Sequence, residues 1–531
     1  MRLDQLKRPG YFLGVLLAIE LGSLVRLLPI AMHGFPLNDG GLFYQMTQDL
    51  MANGLRLPLM TSYNGGGIPF AYPPLGFYLA AGLHLATKAP LLEVMRWLPG
   101  LLSILTIPAF YLLARRLLSS GELATIAVLT FALIPRSYEW LVMGGGLARS
   151  PGMLFSILSL VQADRLLQRP TWKSASLLGL LLALVTVSHL EMAWYTLFSL
   201  SLFWVFRGRT RNSFGGVALA LAAAAALSSF WWLPVVATHG VTPFVQAALT
   251  GQHTLSSSAA VLTNFTGEPF LGVFVLLGLF GAVLTIARRE LLLPLWLFLT
   301  IVLDPRAAGT DASAPLALLV AVAVTFVVLP PLAEPVRQLR KVQDQLASPE
   351  SGVLAVPRWT RNMVVGALAA YGLCAALLAP FSPSSSIAVL RPGEVEAIDW
   401  IGVNLPRSAK FLVVSGRTRW GSDPLSEWFP ALTPQVSLAT PQGQEWTGGL
   451  AEAAERHRAL QLCAQRGLRC LEGWLAEGST HFDYVLVATY PDSSAIQTVA
   501  LVEGLSRSPE YETVYSNAAA AIFSRRTTES P

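Results

Sequence analysis

Charge is what this 531-residue chain lacks: only 13% of its residues are Asp, Glu, Lys or Arg, about half the roughly 25% of an ordinary soluble domain. With 53% hydrophobic residues, a mean hydropathy of +0.52 and several apolar runs of about 20 residues, the length that crosses a hydrocarbon core of roughly 30 Å, a soluble enzyme is excluded. The runs are continuous rather than alternating, which excludes a β-barrel. Motifs of soluble catalysis are missing too: there is no Walker A loop, dinucleotide fingerprint, HExxH or serine elbow. The formal charge of +5 lies in short clusters between apolar runs, not on one continuous face, which argues against a nucleic-acid partner. Cysteine is equally scarce, at three residues.

What charge there is divides the chain. Residues 388–531 hold 28 of the 69 charged side chains, so the sequence predicts a membrane part, 1–387, followed by a soluble α/β domain, 388–531. The first apolar run, Tyr11 to Ala31, follows Arg2, Lys7 and Arg8 and carries Arg26 within it. A polar stretch follows, and the external loop 32–95 contains a shorter apolar segment, 74–87. If that segment does not cross, about eleven transmembrane helices follow the hydropathy: near 11–31, 97–118, 122–135, 151–167, 174–188, 192–206, 215–236, 270–287, 291–303, 315–331 and 363–379. Outside the C-terminal domain, 18 Lys and Arg then face the cytoplasm, among them Arg115, Arg116, Arg207, Arg209, Arg211, Arg337, Arg340 and Lys341. Six face outward: Arg56, Lys88, Arg96, Arg136, Arg149 and Arg306. The positive-inside rule selects this count. It predicts a multi-pass plasma-membrane protein with a cytoplasmic N-terminus and an extracytoplasmic C-terminal domain.

The C-terminal pattern predicts helices near 395–405, 450–466 and 493–506, with strands near 410–415, 482–489, 511–515 and 519–523. Cys463 and Cys470 fall there, where an oxidising compartment permits a disulfide; two buried free thiols are the other reading. Cys374 in the last span reads as a small packing residue.

The remaining ionisable residues gather on the outer side, where they are candidates for function. Asp39 lies in Leu37-Asn38-Asp39-Gly40-Gly41, followed by a helix-like segment with Tyr44 and Asp49. The plainer reading is an interfacial helix capped by Asp39. Arg136 and Glu139 precede the triple glycine Gly144-Gly145-Gly146, whose amides, with Arg149, suit a phosphate; a headgroup anchor is the alternative for Arg149. His189 and Glu191 sit on a short hairpin and suit a sugar hydroxyl or an ion pair better than a metal, since no third ligand is near. The loop 237–268, with Ser256 to Ser258, reads as either a lid or a plain connector.

These features together resemble the GT-C superfamily of membrane glycosyltransferases, which includes protein O-mannosyltransferases, aminoarabinose transferases and oligosaccharyltransferase catalytic subunits. The likeness rests on Asp39 after the first span and on Tyr72-Pro73-Pro74-Leu75 opening the non-crossing helix. It rests also on Trp97-Leu98-Pro99-Gly100 leading to Arg115-Arg116, and on an external α/β domain after the last span. The resemblance implies a GT-C-like bundle and a polyprenyl-phosphate-linked sugar donor. It makes Asp39 the catalytic carboxylate, either as base or as ligand of a divalent metal, magnesium or manganese. Arg149 and Arg136 would then bind the donor phosphate, and His189, Glu191, Tyr44, Tyr72 and Glu139 would contact the acceptor or support the site.

The sequence departs from oligosaccharyltransferases in two places: the second acidic pair is replaced by Gly144 to Arg149, and the WWD motif by Glu427-Trp428-Phe429-Pro430. Here it looks closer to prokaryotic membrane proteins labelled as related to 6-pyruvoyl-tetrahydropterin synthase, although no zinc-binding pattern supports pterin chemistry. The rival class is non-enzymatic: a transporter, or a scaffold whose external domain binds glycans or proteins. No paired broken helices or internal repeat of a transporter are evident.

Overall fold

The computed structural model describes residues 9–208, 210–250, 265–332, 358–382, 385, 387–478, 481–489 and 495–526. Arg2, Lys7, Arg8, Arg209, Arg337, Arg340, Lys341 and Ser256 to Ser258 lie outside the described residues. Each of the eleven apolar segments is helical. Five helices are individually long and apolar enough to cross a membrane: Phe12–Met32, Leu91–Leu117, Arg211–His239, Ala308–Leu332 and Trp359–Phe381. Local chemistry starts several of the others. Ser120 and Thr171 accept hydrogen bonds from the amides of Leu123 and Ser174 as N-caps, and Thr210 forms a capping box with Ser213.

The segment expected not to cross is the helix Leu75–Thr87. Its 13 residues reach about 20 Å, the same length as the helix Gly121–Leu133. Its start is pinned to the bundle by the Leu75 amide, which donates to Val187 O at 2.8 Å. Arg26 is fully buried and ties three helices together, donating to Ser103 Oγ at 3.1 Å and to Ala132 O at 2.8 Å from its own helix Pro9–Met32. At the far end of the helix Gly146–Gln168, Asp164 accepts from Arg116 at 2.5 Å and also pairs with Arg207. That joins the ends of three helices. Cys374 is exposed on its helix, so it is not the packing residue expected.

Residues 392–525 build a mixed sheet flanked by helices. A small hairpin, β1 (Met60–Thr61) with β2 (Ile68–Pro69), lies in the first loop. The five-stranded sheet comprises β3 (Lys410–Val414), β4 (Val436–Ser437), β5 (Tyr484–Ala488), β6 (Tyr511–Ser516) and β7 (Ala520–Arg525), in the order β4-β3-β5-β7-β6. β3 is parallel to β4 and β5, while β7 is antiparallel to β5 and β6. The central strands read Phe-Leu-Val-Val and Val-Leu-Val-Ala and are buried on both faces, as parallel strands covered on both sides are. One face packs Leu412, Val414, Val485 and Val487 under the helices Leu450–Arg466, Leu468–Gly478 and Val499–Arg507. Cys463 and Cys470 are joined there by a disulfide, with Cα atoms 5.2 Å apart.

The other face shares a core with the first loop. Phe411, Val413, Leu486 and Ile522 pack with Trp428 and Phe429, and with Leu42, Phe43, Met46 and Tyr63 from the segment after the first helix. This apolar continuity fixes the C-terminal sheet against the end of the bundle that carries Asp39. Trp428 is 0% exposed, and truncating such a side chain costs about 3–5 kcal/mol.

Candidate active site

Asp39 lies where three chain segments meet. Its Oδ1 accepts from the Gly145 amide at 2.8 Å and its Oδ2 from Arg149 at 2.9 Å. Arg149 in turn lies over the Trp140 ring, 5.1 Å from its centroid. Asp39 does not cap the helix Gly41–Ala52: the N-cap is Gly40, at φ 121° and without a side-chain cap. That conformation suits glycine, and space demands it as well, because a Cβ on Gly40 would stand 2.9 Å from Gly144 Cα. A Cβ on Gly144 would lie 1.9 Å from Asp39 O, and one on Gly145 2.4 Å from Asp39 Oδ2. The triple glycine therefore lets two backbones touch.

This corrects the reading of its amides as a phosphate cradle. Gly144 donates to Leu37 O at 2.9 Å, Gly145 to Asp39, and Gly146 to Met143 O at 2.8 Å, so all three are engaged within the protein. Arg149 is first a partner of Asp39. Arg136 is not placed beside it: Arg136 pairs with Glu139 at 2.8 Å and receives a hydrogen bond from Thr310 Oγ1 on its carbonyl. Glu139 is thus an ion-pair partner of Arg136. Asp49 accepts from Thr61 Oγ1 at 2.6 Å and Ser62 N at 2.9 Å, stapling its helix to the hairpin.

The C-terminal sheet supplies the third side. Gly40 N donates to Glu427 Oε1 at 2.8 Å, Gln442 Nε2 donates to Oε2 at 3.1 Å, and Trp428 Nε1 donates to Asn38 O at 3.1 Å. Tyr63 OH donates to Glu427 O at 2.7 Å. Tyr44 lies against Trp428, centroids 5.9 Å apart. Burial, with the Asp39 charge adding to it, pushes the Glu427 carboxyl up to about 8.

Beside this pair stand Tyr72, His189, Glu191, Arg306, Glu445 and Trp446. Tyr72 meets Trp446 edge-on at 5.3 Å and His189 at 6.2 Å. The charges of Arg149, Glu445, Arg306 and Glu191 all act on the Tyr72 hydroxyl. Burial raises the Glu445 carboxyl. Burial and then the charges of Arg149 and Arg306 push His189 well below its ordinary value, so its imidazole is neutral. Arg306 entered the sequence reading only as an external charge. It is 46% exposed, lies 3.9 Å from Glu191 and donates to Thr250 Oγ1 at 2.9 Å, which leaves further guanidinium N–H groups for a ligand. Its signal was a lone Asp304-Pro305-Arg306 between two apolar runs.

A cleft of about 250 Å³ runs between the helices Trp172–Thr186, Leu190–Arg207 and Arg211–His239, lined by Leu182, Val185, Leu197, Leu221 and Trp232. Trp232 also packs into the cluster of Trp231, Ala71, Val187 and Trp446 beside Tyr72, so one wall of the cleft shares that apolar cluster with Tyr72. Among the described residues no three His, Cys, Asp or Glu side chains converge as a metal requires, and the charge of Asp39 is already paired with Arg149 at 2.9 Å. The donor set at Asp39 does not fit a resident divalent cation.

Membrane-embedded glycosyltransferases of the GT-C class share this fold. The archaeal oligosaccharyltransferase AglB from Archaeoglobus fulgidus, in complex with an inhibitory peptide and a dolichol-phosphate, superposes with a TM-score of 0.55 at 12% identity, covering 91% of this chain and 70% of that one. ArnT from Cupriavidus metallidurans, bound to undecaprenyl phosphate, gives 0.52 at 13% identity, covering 97% and 98%. The arabinofuranosyltransferase AftD from Mycobacteria gives 0.55 at 18%, covering 96% of this chain but 40% of AftD. The family model described as 6-pyruvoyl-tetrahydropterin synthase related domain, membrane protein, matches residues 71–333. The curated proteins yield no match.

Proposed function

We propose that the chain is an integral-membrane glycosyltransferase that moves a sugar from a polyprenyl-phosphate donor to an acceptor at the extracytoplasmic face of the plasma membrane. The observation that carries this reading is the Asp39 carboxylate, oriented by Gly145 and Arg149 where the bundle meets the C-terminal sheet. The fold-mates AglB and ArnT were solved with dolichol-phosphate and undecaprenyl phosphate, which supports a lipid-linked donor whose chain lies in the cleft between the three helices.

Asp39 accepts the acceptor's proton while the acceptor oxygen bonds to the anomeric carbon and the bond from that carbon to the phosphate oxygen breaks. Each of its oxygens holds one protein donor, and a carboxylate has about four acceptor positions, so a lone pair remains for the proton. Arg149 is a positioning residue: it holds the carboxylate aimed. Arg306 neutralises the departing phosphate, taking the part expected of Arg149 and Arg136.

The test is sugar transfer by purified protein from a labelled polyprenyl-phosphate sugar. Asp39→Asn is expected to lose at least about 100-fold in turnover, the low end of what a positioned base supplies. Undiminished turnover in that variant would remove Asp39 as the base, and Arg306→Ala with unchanged donor affinity would remove the phosphate contact.

A further inference from the structure

Polar atoms around the Tyr72 ring are left unspent. Trp446 Nε1 and His189 Nδ1 are buried with no hydrogen-bond partner, in residues 3% and 6% exposed. A buried polar atom without a partner costs about 1–3 kcal/mol, and here two of them, from distant segments, flank one aromatic ring. The ring carries its own hydroxyl, and Glu445 and Glu191 act on that hydroxyl from two sides.

The chemistry of this set is selective. Two carboxylates accept from hydroxyl groups and repel an anion. The indole N–H donates, and the neutral imidazole can do either. Tyr72 and Trp446 offer apolar ring surface. Mixed donors and acceptors beside aromatic rings suit a polyhydroxylated ring, while the cations whose charges also reach the Tyr72 hydroxyl, Arg149 and Arg306, are left to Asp39 and to the donor phosphate.

We infer that Tyr72, His189, Glu445 and Trp446 form the acceptor subsite and that the acceptor is a carbohydrate, its ring against Tyr72 and Trp446 and its hydroxyls on Glu445, His189 Nδ1 and Trp446 Nε1. The Asp39–Arg149 pair is adjacent, since the Arg149 charge acts on both Tyr72 and His189. The inference rests on the transferase reading above. It also gives the C-terminal sheet a substrate-binding part, because Glu445 and Trp446 lie in the connection after β4.

The experiment is saturation-transfer NMR of the full chain in nanodiscs with methyl hexosides, methyl pentosides and their disaccharides, alongside acceptor and donor KM. The variants are Trp446→Phe, which keeps a ring and removes the N–H, and Glu445→Gln. Glycoside binding by the wild type, weakened at least tenfold in both variants with donor KM unchanged, supports the subsite. Absence of glycoside binding overturns it, as do variants that raise only the donor KM, which would give the subsite to the donor's sugar. Binding is read without turnover: glycoside binding without transfer removes the transferase reading alone, and transfer without glycoside binding removes the subsite alone.

Discussion

Gly40 and Glu427, 387 positions apart, are joined by a 2.8 Å hydrogen bond from the glycine amide to the carboxyl Oε1. The bond connects the residue next to Asp39 with a helix of the C-terminal sheet, so the geometry of the candidate base depends on a part of the chain outside the helical bundle.

That contact predicts a pH dependence. The folded Glu427 carboxyl lies at about 8, above its ordinary 4.5. Between those values the folded state holds a proton that the unfolded chain has released, so stability falls as pH rises through the window and levels off above it. Glu427→Gln cannot ionise and is expected to flatten this part of the curve. Melting temperatures of the detergent-solubilised protein from pH 5 to 9 check it; a wild-type curve rising across the window would contradict a protonated Glu427.

Gly144→Ala is expected to destabilise the protein by at least about 1–3 kcal/mol, the usual cost of overpacking, because its Cβ has only 1.9 Å to the Asp39 carbonyl oxygen. Gly82→Ala is the control. Its Cβ meets nothing within 4 Å, and in a helix interior the exchange gains about 0.5–1 kcal/mol. Thermal melts of the two variants should move in opposite directions.

Arg149→Ala leaves Asp39 without its 2.9 Å partner, and turnover at saturating donor should fall by about 100-fold or more, in step with Asp39→Asn. Arg136→Ala should leave turnover near wild type, because Arg136 pairs with Glu139. Equal losses in the two arginine variants would show that the ion pair with Asp39 is not what matters.

The disulfide closes a short loop, with Cys463 and Cys470 separated by seven positions. Replacing both with Ser should cost about 2–3 kcal/mol by loop-closure entropy. Maleimide should label the native protein at Cys374 alone, and at all three cysteines only after reduction and unfolding. Labelling of Cys463 without reductant would show that the bridge is open.

The helical segments were legible because an apolar run of sufficient length has few other solutions in a membrane, and β3 and β5 because buried parallel strands read as unbroken apolar stretches. The helix Pro424–Leu432 escaped notice: Pro424 and Pro430 look like loop punctuation, although the first fills an initial helical turn. Asp39 stands out as a candidate by its place after the first span and beside two glycines. Its partners were misassigned because the purpose of Gly144 and Gly145 shows only when the two backbones are brought together. Glu445 and Trp446 carry no local signature, and with Arg306 they become neighbours of Tyr72 only through long-range packing.

The Asp164 cluster constrains how a long lipid can enter. Asp164 and Arg149 share one helix and are 15 positions apart, about 22 Å at 1.5 Å per residue. With Arg116 and Arg207 both fastened to Asp164, the three helices are clasped at that end like the hinge of a fan. Sideways parting of these three helices is confined to the half nearer Asp39.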